Sequence, residues 1–271
     1  MRKAAFSRWL AGAFLFALVF APLFATADNI PVRFTEGLSR GFLVVSDLNG
    51  HRIAHGDDQQ VLHGSEIHNH LSIQFKDGSV YDETTVFSQE KAFRLISDHL
   101  IEKGPSFKTP MDALIEASSG QLTIRYTDGH GKEKTLSKKM KLPPDVANGM
   151  LFVLVKDIDP KSPKTWVSYL ALGPHPRLVK LVFTPKGKSP FATGSVRRDA
   201  MHYTMHVDIG GVAGVVAPLV GKQPHDTDVW VIGGDAPTYA ASEGPLYGEG
   251  PVWKITLASP EEALDEEPGR K

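Results

Sequence analysis

The sequence of 271 residues contains no cysteine. This absence excludes disulfide bonds, thiol redox chemistry, zinc sites built from thiolates and a lipid anchor on an acylated cysteine. The stability of the folded chain must therefore come from a packed core, and a chain of this length is long enough to build one.

The sequence also lacks the signatures of several functional classes. Its formal net charge is −1, and it has no block of lysine and arginine, so we expect no nucleic-acid partner. No Gly-x-Ser-x-Gly elbow, His-Glu-x-x-His helix or glycine-rich phosphate loop occurs. A pair of glycosidase carboxylates, for which Asp82 and Glu83 would be candidates, is defined by a spatial separation that the sequence does not give, so these residues cannot be told from surface charges. We therefore predict no catalytic residue.

What is present begins with an N-terminal export signal. Arg2, Lys3 and Arg8 form a positive region, and an uncharged apolar run follows from Trp9 to Ala27. The run ends in Ala25-Thr26-Ala27, the small-x-small pattern that signal peptidase cleaves. We predict a signal peptide over residues 1–27, cleaved after Ala27, and a periplasmic or extracellular mature protein. The alternative is retention of the run as a membrane anchor. Beyond it, no segment is long and apolar enough to span a bilayer.

The mature sequence is dominated by strand patterns. Short alternating runs rich in Val, Ile, Phe, Tyr and Thr are separated by turn dipeptides, as in half-buried antiparallel strands. Two hairpins are predicted, one around Asn49-Gly50 and one around Asp77-Gly78. With the four strands of these hairpins, seven further strand candidates bring the expected number of strands to ten or more. Further strand candidates are Phe93–Ile101, Leu122–Tyr126, Trp166–Leu172, Leu178–Phe183, His202–Ile209, Val229–Ile232 and Val252–Leu257.

Helical signals are few. Pro143-Pro144-Asp145 predicts a helix from Val146 to about Val155. Gly211–Gly221 is apolar and predicts either a short buried helix or an apolar loop. The expected fold is mainly β: a large curved antiparallel sheet, as a β-roll or open barrel, with one or two short helices. We expect one domain over residues 28–258 and an acidic, disordered tail over 259–271.

Short pieces of the sequence resemble uncharacterised periplasmic or secreted β-roll domains, whose open barrel is similar to the lipoprotein-carrier fold. The pieces are Asp77-Gly78-Ser79 with Asp82-Glu83, Gly104-Pro105-Ser106-Phe107, Pro144-Asp145 through Asn148-Gly149, and Gly221-Lys222-Gln223-Pro224 followed by Val229-Trp230-Val231. The resemblance implies a fold and carries over no catalytic residue.

Five of the eleven histidines lie between positions 51 and 70. His68 and His70 share a face if the segment is a strand, so both imidazoles could reach one metal ion, with His63 or Glu66 completing the site. Zinc or copper would be the expected metal. The alternative interpretation is a set of ordinary polar histidines on loops and an edge strand. His202 and His206 lie too far apart on a strand to chelate one ion.

The apolar segment Gly211–Gly221 is a candidate wall of a ligand pocket. Val212, Val215, Val216 and Leu219 could line or gate a hydrophobic pocket, or could instead plug the end of a barrel as core. Trp166, Trp230 and Trp253 are expected to be core anchors.

These patterns lead to one functional hypothesis and two alternatives. The first is an exported, non-catalytic protein that binds a lipid or other hydrophobic molecule on the concave face of its sheet and needs no cofactor. The second is a metal-binding protein or metal-dependent enzyme that uses the histidine cluster. The third is an envelope interaction module that binds a protein partner through an exposed sheet edge.

Overall fold

The computed structural model describes residues 30–193, 196–209, 223–248 and 250–258. The predicted signal peptide, the segment from Gly211 to Gly221 and the acidic tail all lie outside these ranges, so those predictions stay predictions. Among the described residues, no helix has the length and apolarity needed to cross a bilayer.

The described chain forms fourteen strands and one α-helix. The helix α1 spans Leu151–Asp157. The strands are β1 (Ser39–Ser46), β2 (Arg52–His63), β3 (Glu66–Phe75), β4 (Val80–Gln89), β5 (Phe93–Lys103), β6 (Met111–Glu116), β7 (Gln121–Thr127), β8 (Glu133–Lys139), β9 (Thr165–Ala171), β10 (Arg177–Thr193), β11 (Val196–Asp208), β12 (Thr227–Ile232), β13 (Thr238–Pro245) and β14 (Val252–Ala258).

All fourteen strands belong to one antiparallel sheet. Its order is β8-β7-β6-β5-β4-β3-β2-β1-β14-β13-β12-β11-β10-β9. The first eight strands therefore follow one another outward to one end of the sheet, and the last six start at the other end and follow one another inward. Pairing of β1 with β14, from Phe42 opposite Ala258 to Ser46 opposite Lys254, joins the two halves. The predicted mainly-β fold with one large curved antiparallel sheet is confirmed.

The two predicted hairpins are present, and their glycines explain the turns. Gly50 connects β1 to β2 with φ of +83°, and Gly78 connects β3 to β4 with φ of +83°. These are left-handed conformations that glycine adopts without steric cost. The turns fix the register, which places alternate residues of each strand on one buried face.

The hydrophobic core lies on that buried face. Along β3, Ile67, Leu71, Ile73 and Phe75 are buried, and their neighbours in sequence point to the other side. The helix α1 packs against β12 and β13 on the same face. Phe152 of α1 stacks on Tyr239 of β13, with ring centroids 4.0 Å apart. The sheet thus has an inward face, covered by α1, and an outward face exposed to solvent.

The predicted helix begins too early, and the difference has a structural cause. Residues from Val146 to Asn148 are not helical but lie along the outer edge of β9. The backbone amide of Ala147 donates to the carbonyl of Ser168, and the Asp145 carboxylate accepts from the amide of Ser168. The Asn148 side chain bonds both the amide and the carbonyl of Leu170. These contacts form hydrogen bonds with backbone groups on the outer edge of β9. The segment therefore pairs with β9 like a short strand and does not start the helix.

The N-terminal segment is fastened to the end of α1. Asp157 accepts hydrogen bonds from the backbone amides of Arg33 and Phe34. The Lys156 ammonium lies 2.7 Å from a carboxylate oxygen of Glu36, and this pair is nearly buried, with 14% and 8% of the side chains exposed. The other oxygen of Glu36 accepts from the Gln60 amide at 2.7 Å.

Two of the quoted sequence pieces meet at the turn between β3 and β4. The Asp77 carboxylate accepts from the amide of Ser79 and from the hydroxyl of Ser106. The Ser79 hydroxyl accepts from the amide of Ser106 at 2.9 Å. A Cβ on Gly104 would lie 2.6 Å from Cα of Ser79, so glycine is required there. These pieces hold two turns together.

Only one of the three tryptophans predicted as core anchors has that role. Trp253 is 6% exposed and packs within the core. Trp166 and Trp230 are half-buried. Lys180 lies over the ring of Trp166, and His202 stacks on Trp230 with ring centroids 4.8 Å apart. Both side chains lie on the outward face, where they alternate with buried neighbours along β9 and β12. The prediction that they are core anchors is therefore wrong.

Candidate functional site: a cavity between the helix and the sheet

A cavity of about 110 Å³ lies between α1 and the inward face of the sheet. Since one water molecule needs roughly 10–15 Å³ of such space, the cavity has room for several waters or for a short alkyl chain. Its walls come from both halves of the sheet and from α1. The apolar side chains in the wall include Leu71, Phe152, Val153, Phe183, Val229 and Ile255.

One end of the cavity is polar. Asn69 of β3 and Glu83 of β4 line it, and they are only 7% and 6% exposed. The Asn69 amide nitrogen donates to Asp58 at 2.9 Å, whereas its Oδ1 has no hydrogen-bond partner within the described part of the chain. The Tyr81 hydroxyl donates to Oε2 of Glu83 at 2.9 Å. The polar end therefore offers hydrogen-bond acceptors to the cavity.

Glu83 belongs to a group of buried carboxyls that includes Asp98 and Glu102 on β5. Burial raises the pKa of all three, to about 7 for Asp98 and about 8 for Glu102. For Glu83, repulsion by Asp98 adds to burial in raising the pKa. The Thr85 hydroxyl donates to Oδ1 of Asp98 at 2.9 Å, which opposes the rise. Removal from water disfavours the charged form of each carboxyl, and this cost is the dominant cause.

Gly149 brings the loop before α1 directly onto this carboxyl group. Its φ is +66°, and a Cβ would lie 1.9 Å from Oγ1 of Thr85 and 2.6 Å from Oδ1 of Asp98. No other residue type fits at this distance. The glycine also lines the cavity, so the same close approach that seals Asp98 from water forms part of the cavity wall.

Comparisons with known proteins add a distant likeness. No protein-family model and no curated protein matches the chain. Among solved structures, the chain is similar to a beta-barrel-like protein of domain of unknown function DUF1849 from Brucella abortus. The two share 12% sequence identity with a TM-score of 0.42, over 82% of this chain and 96% of the other.

The four residues proposed as metal ligands lie near the hairpin of β2 and β3 on the exposed side. His63 and His68 contact each other edge to face, with centroids 4.8 Å apart, and Nε2 of His68 lies 3.8 Å from a Glu66 oxygen. His70 instead pairs with Asp82, 2.9 Å away. Within the described ranges, no group of three or more His, Asp or Glu is arranged to hold a metal ion. The metal hypothesis stays a prediction, and the arrangement adds no support to it.

His202 and His206 do not form a joint metal site, as their spacing on a strand predicts. His202 lies 2.7 Å from Asp228, and His206 lies 2.7 Å from Asp226. Each histidine thus pairs with its own aspartate on the neighbouring segment.

The predicted ligand contacts Val212, Val215, Val216 and Leu219 lie outside the described residues. The cavity that the structure describes is lined by other residues, of which Glu83 was expected to be a surface charge and Asn69 was not singled out. A signal for both was available in the alternation of their strands. Asn69 falls in register between the inward residues Ile67 and Leu71, and Glu83 between Tyr81 and Thr85.

Proposed function

We propose that this is an exported, non-catalytic protein that binds an apolar or amphipathic small molecule in the cavity beneath α1. The observation that carries the proposal is the cavity itself, which is enclosed mainly by apolar side chains and has a few polar groups at one end. Small-molecule sites in proteins have this combination, because apolar walls provide affinity and a few polar groups fix orientation.

The N-terminal sequence supports the exported part of the proposal. A positive region, an apolar run and Ala25-Thr26-Ala27 together have the organisation of a cleavable signal. A carrier in the cell envelope would meet apolar molecules that need shielding from water.

Native mass spectrometry of protein purified from the exported fraction, without detergent, tests both parts. We expect a polypeptide that begins at Asp28 and carries a discrete mass excess that is lost on denaturation. After the bound molecule is extracted and identified, adding it back should raise the melting temperature in proportion to its concentration and affinity.

A pair of variants on α1 links the binding to the cavity. Val153 lines the cavity, and the adjacent residue Leu154 is equally buried but faces away from it. Val153→Phe should fill the space and abolish both the mass excess and the thermal shift. Leu154→Phe should keep both, even if it lowers the melting temperature. Equal binding by the two variants would contradict the cavity as the site.

A further inference from the structure

Asn69 and Glu83 bring acceptor oxygens to the lining of the cavity. Asn69 uses its amide nitrogen for Asp58, so Oδ1 is the atom left without a partner, although the residue is 7% exposed. An unpaired buried acceptor destabilises the fold, because it has lost its hydrogen bonds to water. A bound ligand that donates a hydrogen bond to Oδ1 would remove this cost.

The second acceptor lies beside the first. Asn69 on β3 is opposite Thr85 on β4, and Glu83 is two residues away from Thr85 on the same inward face. Diagonal neighbours of this kind are separated by about 7–8 Å. A head group with several hydrogen-bond donors can therefore contact Asn69 and Glu83 together.

The electrostatic surroundings distinguish between cationic and anionic head groups. Glu83 is affected by the charges of Asp98, Glu102 and Asp58, each of which repels a further negative charge. Lys156, the cation that acts on Asp58, forms its own close pair with Glu36. An ammonium beside Glu83 would stabilise the ionised form of this carboxyl and so offset the burial that raises its pKa, whereas a carboxylate ligand would be repelled.

We infer that the cavity binds an aliphatic primary amine, with its ammonium between Asn69 and Glu83 and its alkyl chain along the apolar wall. The inference rests on the proposed function and names the ligand class for the same site. An ammonium has three donors and one positive charge, which match an unpaired amide oxygen and a carboxyl. The apolar residues Leu71, Val153 and Val229 contact the chain.

Three probes of equal chain length test the inference on the mature protein. Hexylamine, hexanol and hexanoate are titrated at neutral pH by calorimetry, with thermal shift as a second measurement. We expect hexylamine to bind about tenfold or more tightly than hexanol, because its hydrogen bonds are assisted by charge. Hexanoate should bind more weakly than either.

An isosteric substitution and a matched control identify the carboxyl. Glu83→Gln keeps an acceptor for the Tyr81 hydroxyl but removes the carboxyl that a bound ammonium can ionise, so it should reduce the preference for hexylamine over hexanol to less than about threefold. Glu102→Gln changes an equally buried carboxyl that does not line the cavity, and this variant should keep the preference.

The outcomes separate this inference from the proposed function. If hexanoate binds as tightly as hexylamine, or if Glu83→Gln leaves the amine preference intact, the amine inference is wrong and a carrier with another ligand stands. If Glu83→Gln does not fold, the order of the three probes on the unsubstituted protein decides. If none of the probes binds and the purified protein carries nothing, both proposals fail.

Discussion

Acidic residues on the two faces of the same sheet have opposite surroundings. On the outward face, Asp82 lies 2.9 Å from His70, and Asp112 lies 2.9 Å from His99. On the inward face, Glu83 and Asp98 are buried beside each other, and burial raises their pKa values. Adjacent positions on one strand, Asp82 and Glu83, thus differ fully in environment. Burial thus disfavours the charged form of the inward carboxyls, whereas the outward carboxyls lie beside histidines.

Glu36, in the segment before β1, is a buried acid with a close cationic partner, Lys156. Breaking this pair should lower the free energy of unfolding more than any other change proposed. Lys156→Met leaves Glu36 buried without its cation, so we expect the free energy of unfolding to fall by about 3–5 kcal/mol. Urea denaturation measures this as a shift in midpoint.

The matched control removes an outward pair. Arg40 lies 2.8 Å from Asp57, with 57% and 24% of the side chains exposed. Arg40→Met should lower the free energy of unfolding by less than about 1 kcal/mol. Equal losses in the two variants would show that the two faces do not differ in the way described.

The inward carboxyls should make the protein less stable as pH rises. The pKa of Asp98 is raised to about 7 and that of Glu102 to about 8, above their ordinary values of 3.8 and 4.5. The folded state therefore holds these protons more tightly than the unfolded state. Their contribution to the free energy of unfolding is largest below the unfolded pKa values, and it falls as the pH increases toward 7 and 8.

Asp98→Asn isolates one of these carboxyls. The amide does not titrate, so the variant should lose less stability between pH 5 and pH 7 than the original protein, by about 2 kcal/mol. Urea denaturation at the two pH values gives the comparison. A flat profile in the original protein would contradict the raised pKa values.

The smallest effect is expected for the outward histidine pairs. Asp82→Asn weakens a contact between side chains that are 45% exposed for His70 and 34% exposed for Asp82. We expect a loss below about 1 kcal/mol in urea denaturation at neutral pH. A larger loss would mean that this pair supports the sheet in the way that the inward pair of Lys156 does.

Local sequence signals predicted the strands in which turn chemistry and alternation agree. Asn49-Gly50 and Asp77-Gly78 lie at the hairpins they predict. Three strands were missed because their composition misleads. The strand β6 contains Ala, Leu and Glu, which favour helices, β8 consists largely of exposed charged residues, and β13 contains consecutive alanines and a glycine.

The candidate site was harder to predict because it depends on contacts between distant segments. Alternation alone would place Glu83 inward with Phe87, but a charged residue there contradicts the usual preference for apolar cores. The burial of Glu83 becomes clear only when the loop before α1 lies against β4, where Gly149 approaches Thr85. The histidine cluster is the opposite case. His68 and His70 are close in sequence, yet the strand places His70 against Asp82 of its neighbour.

The covered edge of β9 limits how two molecules of this protein could associate. Asp145, Ala147 and Asn148 occupy hydrogen-bonding groups along that edge, whereas no strand in the described ranges pairs with the outer edge of β8. Polymerisation by strand addition needs two free edges on each molecule, because every added copy must offer the next one a place to pair. Of the two end strands in the described sheet, β9 is blocked and β8 is open, so the short segment before α1 hinders fibre formation through the ends of the sheet.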